Sequence, residues 1–230
     1  MTMTCEGPPH ISVIVPVLNE SAQIQTTLND FIPLRKAGHE VIVVDGGSQD
    51  TTLEIATPLA DKVIQSPKGR AFQMNAGAAA VSGNLLWFVH ADTRIPRNAA
   101  CILIQASGLR GWGRFDIRLS GRHPLLRLVE GMMCLRSRLT GIATGDQGIF
   151  VSRVLFERVG GYPEIPLMED IALSKALRRI QRPICLKHRL VTSSRRWEKN
   201  GIVKTILLMW RFRLAYFLGA DPADLEKRYS

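Results

Sequence analysis

Acidic and amide side chains stand directly after the short apolar runs of this sequence. Asn19 and Glu20 follow ISVIVPVL, Asp45 follows VIVV, and His90 and Asp92 follow LLWFV. A further acidic pair, Glu169-Asp170, opens an amphipathic segment much later in the chain. Carboxylates can accept hydrogen bonds from hydroxyls and N–H groups, take the proton of an attacking hydroxyl, or bind a hard divalent cation. Lys68-Gly69-Arg70 precedes an alanine-rich segment, where the free amides of a helix start and a guanidinium suit an anion. Each feature also has a plainer reading. Asn19 or Asp45 can cap the following helix, Asp50 and Thr51 can merely start one, and Lys68 to Arg70 can be a solvated loop. Glu169-Asp170 can simply complement a helix N-terminus. Capping alone is a weaker account of all three strand ends together.

The elements that must position these groups are legible from apolar periodicity. Ile11 to Val15, Val41 to Val44 and Leu85 to Val89 are continuous apolar runs, the mark of strands covered on both faces. Pro16 is expected to stop the first. Ser21 to Lys36, Thr51 to Leu59 and Arg70 to Val81 read as helices between them, with Lys62 to Ile64 as a weak strand. This alternation predicts βαβ units in an α/β, doubly wound, mostly parallel sheet, which binds ligands beyond the carboxyl ends of its strands. In the second half, Arg114 to Ser120 alternates and reads as an edge strand. Leu125 to Leu139, Met168 to Ile180 and Val203 to Leu218 read as helices, with a helical turn at Leu155 to Val159. Gly148 to Val151 and Ile184 to Lys187 read as short strands.

The 230 residues are 46% hydrophobic, enough for one packed domain spanning 1–230. The four cysteines, Cys5, Cys101, Cys134 and Cys185, form no CxxC pair and read as reduced thiols of a cytoplasmic protein. Met1 to Pro9 lacks the basic and apolar pattern of a signal peptide. The net charge of +10 favours a polyanionic partner. No zinc finger, basic zipper or RNA-binding signature accompanies it, which makes nucleic acid the weakest candidate. On the final helix, Val203, Ile206, Leu207, Trp210, Leu214 and Phe217 share one face. The segment is short and too interrupted by charge for a span of ~20 apolar residues. It can lie on an anionic membrane surface at the periphery of the cell membrane's inner face, or it can close the core.

In order and spacing, ISVIVPVLNES, VIVVDGGSQDTT, KGRAFQMNAGA and LLWFVHADT, followed by GDQGIFVSR, MEDIALSKALRR and SSRRW, resemble family 2 glycosyltransferases with the GT-A fold. The resemblance runs from Ile11 to about Trp197. It is strongest to short bacterial members whose metal motif begins with histidine. It implies a nucleotide-sugar-binding half over 11–110 and an acceptor-binding half over 111–230. It puts Asp45 on the uracil N3–H of a UDP-sugar and Glu20 on the ribose, with Pro16 and Asn19 shaping that loop. Gly46 and Gly47 let the backbone approach the nucleotide. Lys68 and Arg70 are implied to help hold it, and Asn75 and Gly77 to lie close to the sheet and nucleotide, with packing and contact both open. Asp92 is implied to hold Mg²⁺ or Mn²⁺ against the diphosphate. His90 stands where the family has an acid, and ligation, contact with the nucleotide and packing stay open for it. Asp170 is implied to be the base of an inverting transfer, with Glu169 in support. Asp146 is implied to line the sugar or acceptor site. Ser193 to Trp197 is a degenerate form of a motif that begins with glutamine in processive members. It leaves Arg196 as a diphosphate ligand and Trp197 beside the acceptor or simply packed.

The function implied is metal-dependent inverting transfer from a UDP-sugar to a small-molecule or lipid-type acceptor. A sugar nucleotidyltransferase would need a glycine-rich basic loop after the first strand, which VPVLNES lacks. A non-catalytic nucleotide-sugar or membrane-surface binding module is the alternative. His90 in place of an acid favours it, and the retained Asp92 and Asp170 oppose it.

Overall fold

The computed structural model describes residues 9–107 and 111–229, with the side chains of Ser107, Arg196 and Tyr229 outside that description. Cys5 and the polar start therefore lie outside the described residues, whereas Cys101, Cys134 and Cys185 are free thiols. The strands are β1 (Ile11–Val17), β2 (Glu40–Asp45), β3 (Lys62–Gln65), β4 (Leu85–Phe88), β5 (Thr93–Arg94), β6 (Trp112–Leu119), β7 (Phe150–Ser152) and β8 (Ile184–Thr192). They form one sheet in the order β3-β2-β1-β4-β7-β6-β8-β5. Helices α1 (Ile24–Asp30), α2 (Ile32–Lys36), α3 (Thr52–Ala56), α4 (Arg70–Ala80) and α5 (Ala99–Ser107) belong to the first half. Helices α6 (Pro124–Thr140), α7 (Arg153–Arg158), α8 (Glu169–Ile180), α9 (Arg195–Asn200), α10 (Ile202–Phe217) and α11 (Pro222–Tyr229) belong to the second.

The first four strands are mutually parallel, so β1, β2 and β4 end on the same edge. Every residue of β1 and β4 is buried, as their unbroken apolar runs require. One face packs Phe31 and Phe115 around Trp87, with ring centroids 6.0 and 5.3 Å from it. The other face carries α4. Gly77 lets that helix approach closely, because a Cβ there would lie 2.4 Å from Ile14 Cγ2.

Four expectations are corrected. Pro16 does not stop β1: it sits opposite Val44 within the parallel pairing, and the strand continues to Val17. Ser21 to Lys36 is not one helix. The chain breaks at Phe31, and Pro33, which has no N–H to donate, falls in the first turn of the new helix α2.

The alternating RFDIRLS run is not at an edge either. It belongs to β6, which pairs with β7 on one side and β8 on the other. Two of its charged residues, Arg114 and Asp116, are covered, whereas Arg118 is exposed. Arg114 is fully buried and pairs with Asp116, which also binds Arg138 at 2.5 Å. Arg114 also donates to the Cys134 carbonyl of α6 at 3.0 Å. The fourth correction is β8, which runs to Thr192 rather than ending at Lys187.

The elements β5, α5, α9 and α11 stand in addition to those read from the sequence. The pairing of Thr93 with Thr192 matters most, because it brings the Ser193 segment alongside Asp92.

Candidate active site

Two loops meet at the ends of β1 and β2. Asn19 adopts a left-handed backbone, φ 55°, and its side-chain oxygen accepts the Gln49 amide at 2.8 Å. Its own amide donates to Ser48 Oγ at 2.9 Å. Asp45 is completely buried, and its carboxylate accepts the amides of Gly47 and Ser48 at 3.0 and 3.1 Å. Gly47 takes φ 97°, a conformation suited to glycine. Asn19 and Asp45 thus hold the turn between the strand ends. Beneath it lies Gln73 of α4, a residue not singled out from the sequence. Its Nε2 donates to the carbonyls of Val17 and Val44 at 2.7 and 2.8 Å, fastening helix to both strand ends. A buried amide with both strands as acceptors has no one-dimensional signature.

Asn75 of α4 is engaged within the fold. Its carboxamide accepts the Tyr162 amide at 2.9 Å and donates to the Tyr162 carbonyl at 2.8 Å, clamping α4 to a distant loop. It lies away from the large cavity described next.

That cavity, of about 800 Å³, is lined at its polar end by Arg70, His90, Asp92, Asp146, Glu169 and Asp170. Residues from both halves of the chain therefore converge. Gly145 is the junction. A Cβ there would lie 2.6 Å from His90 Nε2, while its amide donates to Asp170 Oδ2 at 2.9 Å. Asp170 also accepts the Ile171 amide at 2.6 Å. Immediately before the acid pair, Met168 holds φ 69°, and it and Asn19 are the described non-glycine residues with positive φ. Such backbone strain is retained only where the surroundings enforce it.

The charges form one field. Burial, then Asp92, raises the Glu20 carboxyl above its ordinary range, partly offset by Arg195 and Arg70. Burial also raises Asp92, against Arg70 and Arg195. Arg195 stands 3.8 Å from Glu20. The sequence pointed to its neighbour Arg196, which lies in α9 with its side chain outside the described residues. Adjacent arginines at a helix start cannot be told apart by spacing. Burial and Arg70 hold the His90 imidazole neutral, lowered to about 3. Burial, then Asp170, raises Glu169 to about 7. Asp146 is raised chiefly by burial and accepts the Thr144 hydroxyl at 2.6 Å. Lys68 is exposed, at the turn leading into α4. Trp197 packs beside Leu119, Leu126 and Val129 and lines the cavity.

Among the described residues, no three His, Cys, Asp or Glu side chains gather to hold a metal. The donors present nevertheless fit a cation shared with a diphosphate. Asp92 makes no ion pair among the described residues and offers a half-buried carboxylate to the cavity, with a neutral imidazole beside it.

The model for "Glycosyl transferase family 2" matches residues 12–107, which hold the strand ends and the His90–Asp92 turn. The probable glycosyltransferase YdaM of Bacillus subtilis is 26% identical over 95% of this chain and 57% of its own. These matches support the chain's membership of glycosyltransferase family 2. Its GT-A fold is shared with two ligand-bound structures. A mannosyltransferase of Pyrobaculum calidifontis in complex with GDP-Man and Mn²⁺ superposes with TM-score 0.64 and 22% identity, over 90% of this chain and 61% of that one. Staphylococcus aureus TarS 1–349 in complex with UDP-GlcNAc gives the same score and identity, over 80% and 58%. The chain spans between about a third and two thirds of the curated relatives it matches.

Proposed function

We propose that this family member transfers a sugar from a nucleotide diphosphate, a UDP-sugar, to a small-molecule or lipid-type acceptor with inversion at the anomeric carbon. The observation that carries this reading is the convergence of Asp92 and Asp170, from opposite halves of the chain, on one cavity through Gly145. Asp45, Glu20 and the loop at Asn19, which follows Pro16 of β1, receive the nucleoside at the strand ends. Arg70 and Arg195, aided by Lys68 and Arg196, balance the diphosphate charge. Asp92, with His90 beside it, is the ligand for Mg²⁺ or Mn²⁺, which when bound offsets the negative charge gathering on the leaving diphosphate. Asp170 accepts the proton of the acceptor hydroxyl as that oxygen attacks, and Glu169 and Asp146 shape its surroundings. The ligands named in the two superposed structures support a nucleotide-sugar donor and a divalent cation in this fold.

No helix among the described residues is long and apolar enough to cross a membrane. The apolar stripe of α10 faces outward, with Val203, Leu207, Trp210, Leu214 and Phe217 at 57% to 77% exposure. Ile206 of the same stripe packs against Leu119, Leu126 and Val129, so the helix also closes part of the core, while the five exposed residues support contact with an anionic membrane surface.

Thermal shift with a panel of nucleotide sugars, with and without Mn²⁺, tests the donor. A UDP-sugar with Mn²⁺ should raise the melting temperature, EDTA should abolish the gain, and Asp92→Asn should lose it. A gain that survives both EDTA and Asp92→Asn would sink the metal assignment.

A further inference from the structure

The cavity changes chemistry along its length. Its polar end holds the acids described above. Its outer wall is apolar, formed by Leu135 and Leu139 of α6 and Trp210 and Leu214 of α10, all between 57% and 69% exposed. Apolar side chains left in water in a contiguous group mark a binding surface.

Arg136 and Arg213 also line this cavity. Arg136 Nε is buried and has no hydrogen-bond partner, and its Nη2 reaches only to Thr144 Oγ1 at 3.5 Å. Among the described residues, neither arginine has an ion-pair partner within 4.0 Å. The acids facing Arg136 are Asp146 and Asp170, and both already accept other donors: the Thr144 hydroxyl for one, the Gly145 and Ile171 amides for the other. Burial, then repulsion from Arg213, lowers Arg136 to about 10. Two guanidinium groups that repel each other, one with a buried donor unmet, are a costly arrangement unless an anion completes it.

We propose that the acceptor of the transfer reaction above is an amphiphile carrying an anionic group beside an apolar chain. The anion rests on Arg136 and Arg213, and the chain leaves between α6 and α10. A guanidinium fork matches phosphate or carboxylate oxygens. A bilayer surface alone does not satisfy these observations, because the unmet Nε lies inside the wall. The occupant is a molecule that enters.

The proposal rests on the glycosyl-transfer reading for its biological meaning, and its test is separable from that reading. The full chain is titrated calorimetrically with dodecyl phosphate, dodecyltrimethylammonium and inorganic phosphate, each below any micelle concentration, and separately with UDP and Mn²⁺. Dodecyl phosphate should bind at least ~10-fold more tightly than either other probe, the scale of one charge-assisted contact. R136Q/R213Q should lose at least ~10-fold of that affinity while still binding UDP, which reports that the variant is folded. The surface pair L135S/L214S should weaken dodecyl phosphate and leave inorganic phosphate unchanged. Equal binding of the cationic probe, equal binding of inorganic phosphate, or unchanged binding by R136Q/R213Q would each overturn the proposal. Failure of UDP alone would count against the donor reading and leave the ligand class standing.

Discussion

The two halves of this molecule treat their apolar side chains and charges differently. In the first, β1, β2 and β4 are buried on both faces, and the loops after β1 and β2 are tied together by their own polar groups. Asp45 takes loop amides, Asn19 ties one loop to the other, and Gln73 fastens both strand ends to α4. In the second, α6 and α10 turn apolar stripes to solvent, and Arg136 keeps a buried donor unmet. The first half is built as a self-contained frame. The second is built around something it does not itself supply. In the proposed reaction, the first half would meet the nucleotide with a preformed frame and the second would receive the acceptor.

The sharpest way to break this contrast is at Asp170. If it is the base acting on the acceptor, Asp170→Asn should lower transfer at least ~100-fold, the lower scale of general-base catalysis, with near-normal UDP affinity. The product of the parent enzyme should be inverted, read from its anomeric coupling constant by NMR. A variant with full activity, or a retained product, would return the role to Glu169 or Asp146.

A smaller effect compares packing directly. Gly77→Ala forces a methyl group to within 2.4 Å of Ile14 Cγ2 and should cost ~1–3 kcal/mol in denaturant unfolding. Leu207→Ser on the outer face of α10, where the side chain is 64% exposed, should stay within ~0.5 kcal/mol. If the two cost the same, the description of one half as closed and the other as open is wrong.

The smallest effect is a pH dependence. Glu169 is raised from an ordinary 4.5 to about 7 by burial and by Asp170. The folded chain therefore keeps a proton that the unfolded chain has already released. Stability should fall as pH rises from about 4.5 through about 7, then level off. Glu169→Gln removes the buried charge, so it should melt higher than the parent at pH 8, on the order of 5 °C, and alike near pH 4.5. A constant difference across that range would show that Glu169 is not the titrating group.

Sequence alone determined the frame. Runs such as ISVIV and LLWFV have one stable solution, a strand covered on both faces. Parallel strands then put Asn19, Glu20, Asp45, His90 and Asp92 on one edge. It also presented Glu169-Asp170 at a helix start. These signals are local: they depend on which residues follow one another within a few positions. Tertiary structure decided the rest, because it depends on residues brought together from far apart. RFDIRLS reads as an edge until Arg138 and α6 cover Arg114 and Asp116. Asn75 reads equally as packing or nucleotide contact, and Tyr162, 87 positions away, claims both ends of its amide. Arg195 and Arg196 read alike until a helix aims the first at Glu20. The apolar stripe of α10 fits a core or a surface equally well in one dimension. Only packing through Phe212 and Thr205 turned that stripe outward, to stand beside α6 at the mouth of the cavity.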